Sequence, residues 1–296
     1  MHRCIVLACS LLVFSGCGSA ALTPLDQIRD QITEISRTTT NAEICHEQMH
    51  ELGHHAFDQY SLSALDASDE SCNGGYIHGV IESALVQTDD PIGLMKTLCD
   101  GKDTATFSGW ECVHGIGHGL MAYTENDLPI ALSLCQDLSD ASACINGVWM
   151  ENFNAEEEYH PTEWRKNDAS FFPCEEGLIG RNDCYLYAPI WYLDQQGHDY
   201  GQAMDWCRGA GDGERMCVQG VGSQAMKDRS DRSDEIISVC DSSPDGFRDA
   251  CIRGMTGMLV FHNASTDEAT EWCSERSDTD QEVCQSTIKS FAPMFE

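Results

Sequence analysis

From Thr88 onward, apolar residues fall in helix-length runs broken at regular intervals by Asp-, Gly- and Ser-rich stretches. The segments PIGLMKTLC, PIALSLC, QAMDWC and DEIISVC read as helices. Turn-forming stretches such as DGKDTATFSG and GAGDGER follow some of them. A second apolar run of helix length then begins, with Gly115, Gly147, Gly220 or Gly254 near its start. A mid-helix glycine costs roughly 1 kcal/mol against alanine, so its recurrence predicts helices packed backbone against backbone. Ser265-Thr266-Asp267-Glu268 spells a capping box ahead of ATEWC. A further helix is predicted through Ala42–Gln59, with Ile44, Met49, Leu52, Ala56 and Tyr60 as its apolar face. No alternating run that would mark a strand precedes it.

Cysteines keep the same rhythm. They pair in sequence as 99/112, 135/144, 174/184, 207/217, 240/251 and 273/284, and Cys45 with Cys72 makes a longer seventh pair. Successive second members lie 32, 40, 33, 34 and 33 residues apart. A period near 33 is the length of a helix–turn–helix unit in an α-solenoid. Sequence does not prove the bridging pattern, but the repetition favours nearest neighbours, each bridge tying the end of one helix to the start of the next. Each would contribute roughly 2–4 kcal/mol through loop entropy. The expected fold is all-α: a right-handed α-solenoid of about seven disulfide-linked helix-turn-helix repeats over 41–296, with 41–126 as a histidine-rich half. The insert AEEEYHPTEWRKNDASFF at 155–172 breaks the rhythm and reads as a surface excursion.

Period, paired cysteines and glycine placement over Thr88–Pro293 resemble the cysteine-stapled branch of tetratricopeptide-like repeat proteins. That resemblance implies a peptide or an envelope protein as partner, lying in a concave groove.

Charge narrows the partners. The 296 residues carry 17 Lys+Arg against 49 Asp+Glu, a formal net charge of −32. Such a surface argues against nucleic acid and anionic lipid, and it fits a highly solvated protein or one that attracts cations. At the N-terminus, His2 and Arg3 precede the short apolar run CIVLACSLLVF, too short to span a bilayer, so residues 1–16 read as a signal peptide. Phe14-Ser15-Gly16-Cys17 resembles a bacterial lipobox, which makes Cys17 the lipidation candidate and 17–40 a lipidated terminus and linker. The alternative is ordinary secretion with cleavage near Ala20. Of 17 cysteines, Cys4, Cys9 and Cys17 belong to this segment, and 17 − 3 leaves 14, an even number for an oxidising compartment. The expected location is the periplasm or the cell surface, with the membrane reached only through the lipid anchor.

Seven of the 11 histidines fall within 46–118: His46, His50, His54, His55, His78, His114 and His118. The later repeats keep the cysteine frame yet carry Asn146, Gln219 and Arg253 where His78 and His114 stand, so the repeat itself does not need histidine there. His46, His50 and His54 step four residues along one helical stripe, His114 and His118 repeat that step, and His78 makes it with Glu82. Two ligands one turn apart can grip one ion, and adjacent helices can supply the rest. With the thiols oxidised, the donors are imidazole and carboxylate. They suit a divalent transition metal, zinc first, at His50, His54, His78, Glu82, His114 and His118. Histidines satisfied by backbone carbonyls and acids at helix interfaces are the alternative.

His50-Glu51-Leu52-Gly53-His54 also resembles the HExxH helix of zincin metallopeptidases. The resemblance implies His50 and His54 as zinc ligands and Glu51 as the general base, with a third ligand from Glu82, His78 or the His114/His118 pair, of which Glu82 resembles the glutamate-ligand arrangement. Glu47 and the added His46 depart from the zincin pattern. The chain is thus expected to be an exported, membrane-anchored metal-binding helical-repeat protein, with metal-dependent hydrolysis as an open extension. The alternative is a non-catalytic scaffold that binds a peptide or envelope protein.

Overall fold

A computed structural model describes residues 24–153, 161–230 and 233–295. The signal segment and Cys17 lie outside these residues, as do residues 154–160, which take in the first six residues of the insert. Every regular element among the described residues is helical: α1 (Pro24–Thr38), α2 (Ala42–Tyr60), α3 (Gly75–Gln87), α4 (Pro91–Leu98), α5 (Phe107–Tyr123), α6 (Leu128–Cys135), α7 (Ala141–Asn152), α8 (Arg181–Gln195), α9 (Tyr200–Cys207), α10 (Glu214–Asp228), α11 (Ser233–Ile236), α12 (Arg248–His262), α13 (Asp267–Ser274) and α14 (Asp278–Phe291), with short 3-10 turns between some of them. None is long and apolar enough to cross a membrane.

All seven disulfides join nearest neighbours: 45–72, 99–112, 135–144, 174–184, 207–217, 240–251 and 273–284. Five of them tie a short helical segment to the long helix that follows it, as the repeat predicts. The other two depart from that plan. Cys174 sits in a turn ahead of α8, and Cys45 lies inside α2 while Cys72 lies in the turn before α3. So many bridges indicate an oxidising environment.

The long helices pack in succession, α2 on α3, then α5, α7, α8, α10, α12 and α14. They cross closely because glycines stand at the crossings. A Cβ on Gly79 of α3 would collide with the carbonyl of His50 in α2, and one on Gly147 of α7 would collide with the carbonyl of His114 in α5. The row also returns on itself. Asn41 Nδ2 donates to the Asp228 carbonyl at 2.8 Å, joining the start of α2 to the end of α10. Phe107 of α5 meets Phe261 of α12 at 5.3 Å between ring centroids and Phe295 at 4.9 Å.

Three local expectations change. Residues 24–38, expected as linker, form α1, because Leu25, Ile28, Ile32 and Ile35 recur at helical spacing and pack onto α2, with Ile32 only 1% exposed. On α2 the buried stripe runs through Ala42, Cys45, Met49, Gly53 and Ala56, which leaves Ile44 49% exposed on the far side. The capping box before α13 does not close: Thr266 is the N-cap without a side-chain bond, and Ser265 Oγ accepts instead from the Asp267 amide at 3.2 Å.

Candidate metal centre

The histidine-rich elements α2, α3 and α5 lie side by side, with α3 between the other two. On these three helices four histidines adjoin a glycine in sequence: His54 follows Gly53, His78 precedes Gly79, His114 precedes Gly115 and His118 follows Gly117. Where backbones meet at a glycine, the neighbouring side chains on both helices are brought face to face. This is how imidazoles far apart in the chain come together.

They form two groups, each with ligand atoms within 4.8 Å of one another. The inner group is His78, His114 and His118, whose residues are 0%, 1% and 3% exposed. The outer group is His50, His54 and Glu82, with side chains 22%, 40% and 13% exposed. Every residue predicted as a metal ligand falls in one of these groups. The pairing within α3 differs from expectation, however. His78 joins α5 and Glu82 joins α2, because α3 is sandwiched and successive turns face different neighbours.

Hydrogen bonds set which ring nitrogens remain bare. His118 Nδ1 meets Glu151 Oε2 of α7 at 2.6 Å, so the carboxylate holds the proton on Nδ1 and frees Nε2. That Nε2 stands 3.1 Å from Nε2 of His114. Two imidazole nitrogens on one tetrahedral zinc ion are separated by about 3.3 Å, given zinc–nitrogen distances of about 2.0–2.1 Å. His78 Nε2 pairs with Glu111 Oε2 at 2.9 Å, both side chains being fully buried, while His78 Nδ1 and Glu111 Oε1 are buried with no hydrogen-bond partner. Orphaned polar atoms are costly in an interior, and a cation at Nδ1 would satisfy one of them directly.

In the outer group the Ser83 hydroxyl occupies His54 Nδ1 at 2.7 Å. His54 Nε2 then faces His50 Nδ1 at 3.2 Å and Glu82 Oε2 at 3.5 Å, and Glu82 Oε2 lies 3.3 Å from His50 Nε2. His46 is buried beside both groups. Its Nδ1 donates to the Cys72 carbonyl at 3.0 Å, and its ring centroid is 5.4 Å from that of His78 and 6.0 Å from that of His50.

Burial dominates the electrostatics. It lowers His50, His78 and His114 well below the ordinary histidine value, helped by the neighbouring imidazoles, and it takes His46 to about 3. These rings are uncharged lone-pair donors at neutral pH, the form a metal needs. Glu111 is pushed well above the ordinary carboxylate value, by burial first and then by Glu70. A dication on His78 would reverse that bias, since it stabilises the carboxylate facing the same ring.

Glu51 is exposed on α2, and the carboxylates that meet the imidazoles are Glu82, Glu111 and Glu151. His55 is exposed as well. Sequence reasoning missed Glu111, Glu151 and Ser83, and it placed His46 on the histidine stripe without counting it a ligand. A signal for the first two was present, for His78–Glu111 and His118–Glu151 are each separated by 33 residues, one repeat. Each histidine is met by the residue one repeat further on, across the helix crossing.

No protein family, curated protein or solved structure matches the chain, so the tetratricopeptide-like and zincin resemblances rest on their own residues alone.

Proposed function

We propose that this chain is an exported metal-binding protein that holds divalent transition ions, zinc foremost, in its two His/Glu groups. The observation that carries the reading is the inner group. Three fully or nearly fully buried imidazoles converge there, and two of them face a buried carboxylate through one nitrogen. A protein seldom buries so many ionisable groups unless they are paired or coordinate an ion. The donors are imidazole and carboxylate because the cysteines of the described residues are in disulfides, which suits zinc, iron, copper or manganese. Export and a lipid anchor at Cys17 belong to the same reading, supported by the seven bridges and by the lipobox-like Phe14–Cys17.

Elemental analysis of the folded, oxidised protein after expression in metal-supplemented medium tests it. Bound transition metal is expected. His114→Ala combined with His118→Ala should remove the inner equivalent while leaving the helical content and the disulfides in place. Absence of metal in the parent protein would end the reading.

Hydrolysis attaches to it through one observation: His50, His54 and Glu82, the glutamate-ligand form of the zincin resemblance, converge in the outer group. In that extension Glu51→Gln retains metal and abolishes turnover of a peptide or ester; turnover at parental rate excludes Glu51 as the base.

A further inference from the structure

We propose that the outer group is the loading port of the inner one: a divalent transition ion is captured by His50, His54 and Glu82 and handed to His78, His114 and His118, with His50 as the hand-over ligand. The proposal rests on the metal-binding reading above.

Exposure is graded along this line. The outer side chains are 13–40% exposed, whereas no inner residue exceeds 3%. The inner group is closed on its other sides. Trp110 stacks on His114 at 4.7 Å, Phe261 stands behind Trp110 at 5.3 Å, and Glu151 covers His118 from α7. On the side of α2 it meets the outer group, where the His50 ring centroid is 6.4 Å from both His78 and His118. A ring at that distance can release an ion to either inner imidazole after a small side-chain rotation.

Charge and protons favour the same direction. A net charge of −32 draws cations to the surface and repels anions, so the exposed group is well placed to collect a dication. His54, held at Nδ1 by Ser83, turns Nε2 toward the capture point. Transfer is then ligand exchange: bonds to Glu82, His54 and finally His50 are replaced by bonds to inner nitrogens, one lone pair for another. On two of the inner rings one nitrogen is turned to a carboxylate, His78 Nε2 to Glu111 and His118 Nδ1 to Glu151, which leaves His78 Nδ1 and His118 Nε2 for the ion.

The test follows cobalt(II) uptake by the full folded chain through its ligand-field absorption, with a chelator pulse scoring the protected, inner ion. His54→Ala and, separately, Glu82→Gln should reach the same chelator-resistant equivalent as the parent, but on the order of tenfold more slowly. A melting curve confirms that each variant is folded, and the milder Glu82→Gln carries the test if His54→Ala is not. Unchanged or faster protection in the folded variants overturns the relay. A parent protein that binds no cobalt overturns the metal-binding reading instead, so the two failures are distinct.

Discussion

Glu151 shows how much one side chain decides. It is 4% exposed and holds the proton of His118 on Nδ1, leaving Nε2 free toward His114. Partners of this kind orient a ligand ring and raise its basicity, and losing one typically costs about 10–100-fold in metal affinity. Glu151→Gln should weaken binding by that order without loss of helicity, as read by competition with a chromophoric chelator; unaltered affinity would deny Glu151 this role. The same residues give the metal-free protein a defined pH response. His46 is depressed from 6.5 to about 3, and His50, His78 and His114 are also lowered. Unfolding restores their ordinary basicity, so between these values the unfolded chain binds more protons and stability falls as pH falls. Glu111, Glu43 and Asp183, raised by burial, act in the opposite sense, while His262 is lowered along with the other four histidines, so the depressed imidazoles outnumber the raised carboxyls. The melting temperature of the metal-free protein should therefore drop between about pH 7 and about pH 5. A flat profile would mean that these rings are not held neutral in the folded state.

At the scale of the element, the site is made by helix crossings. A methyl group on Gly79 would run into the His50 carbonyl, whereas one on Gly201 would meet only Asp199 Oδ1 at 3.5 Å and Ser242 Oγ at 3.9 Å. Gly79→Ala should wedge α2 away from α3, costing about 1–3 kcal/mol and displacing His50 and His54 from Glu82. Gly201→Ala should stay within about 0.5 kcal/mol of the parent or stabilise it slightly. Thermal unfolding with metal stoichiometry separates the two outcomes, and equal behaviour would remove the glycine crossing from the explanation. Much of this level was legible beforehand. The recurrence of Gly115, Gly147, Gly220 and Gly254 after the second cysteines predicted close crossings, and a Cβ on the last three would strike a neighbouring backbone, whereas one on Gly115 would meet the His78 and Ile81 side chains. The helix of residues 24–38 replaces the expected linker because Leu25, Ile28, Ile32 and Ile35 share one helical face that packs onto α2.

Across the whole molecule, the histidines lie along a seam between two apolar cores. Ile28, Ile32, Met49, Ala56, Tyr76 and Val80 belong to the N-terminal core, and α3 contributes Ile77, Ile81 and Leu85 to the main one. An ion shared among α2, α3 and α5 would join the two cores where packing alone is interrupted by polar groups. Chelation should accordingly raise amide hydrogen exchange in α1, α2 and α3 while leaving α10 and α12 protected, because binding to the folded state alone stabilises what it holds together. Uniform protection with and without metal would show that packing suffices to join the cores.

What the amino-acid order determined alone is the part written in local chemistry and in period: helices, a cysteine frame that favours nearest-neighbour bridges, and six residues able to act as ligands. Cysteine and glycine recur every 33 residues or so because each unit repeats the same local contacts, and such contacts can be read along the chain. Only the tertiary structure divided the six residues into an inner and an outer group, sent His78 and Glu82 to different partners, and buried Glu111 and Glu151 behind the rings. Those outcomes depend on the angle and depth at which three helices cross, and on which turn of α3 faces which neighbour. They are properties of packing between segments that no single segment contains.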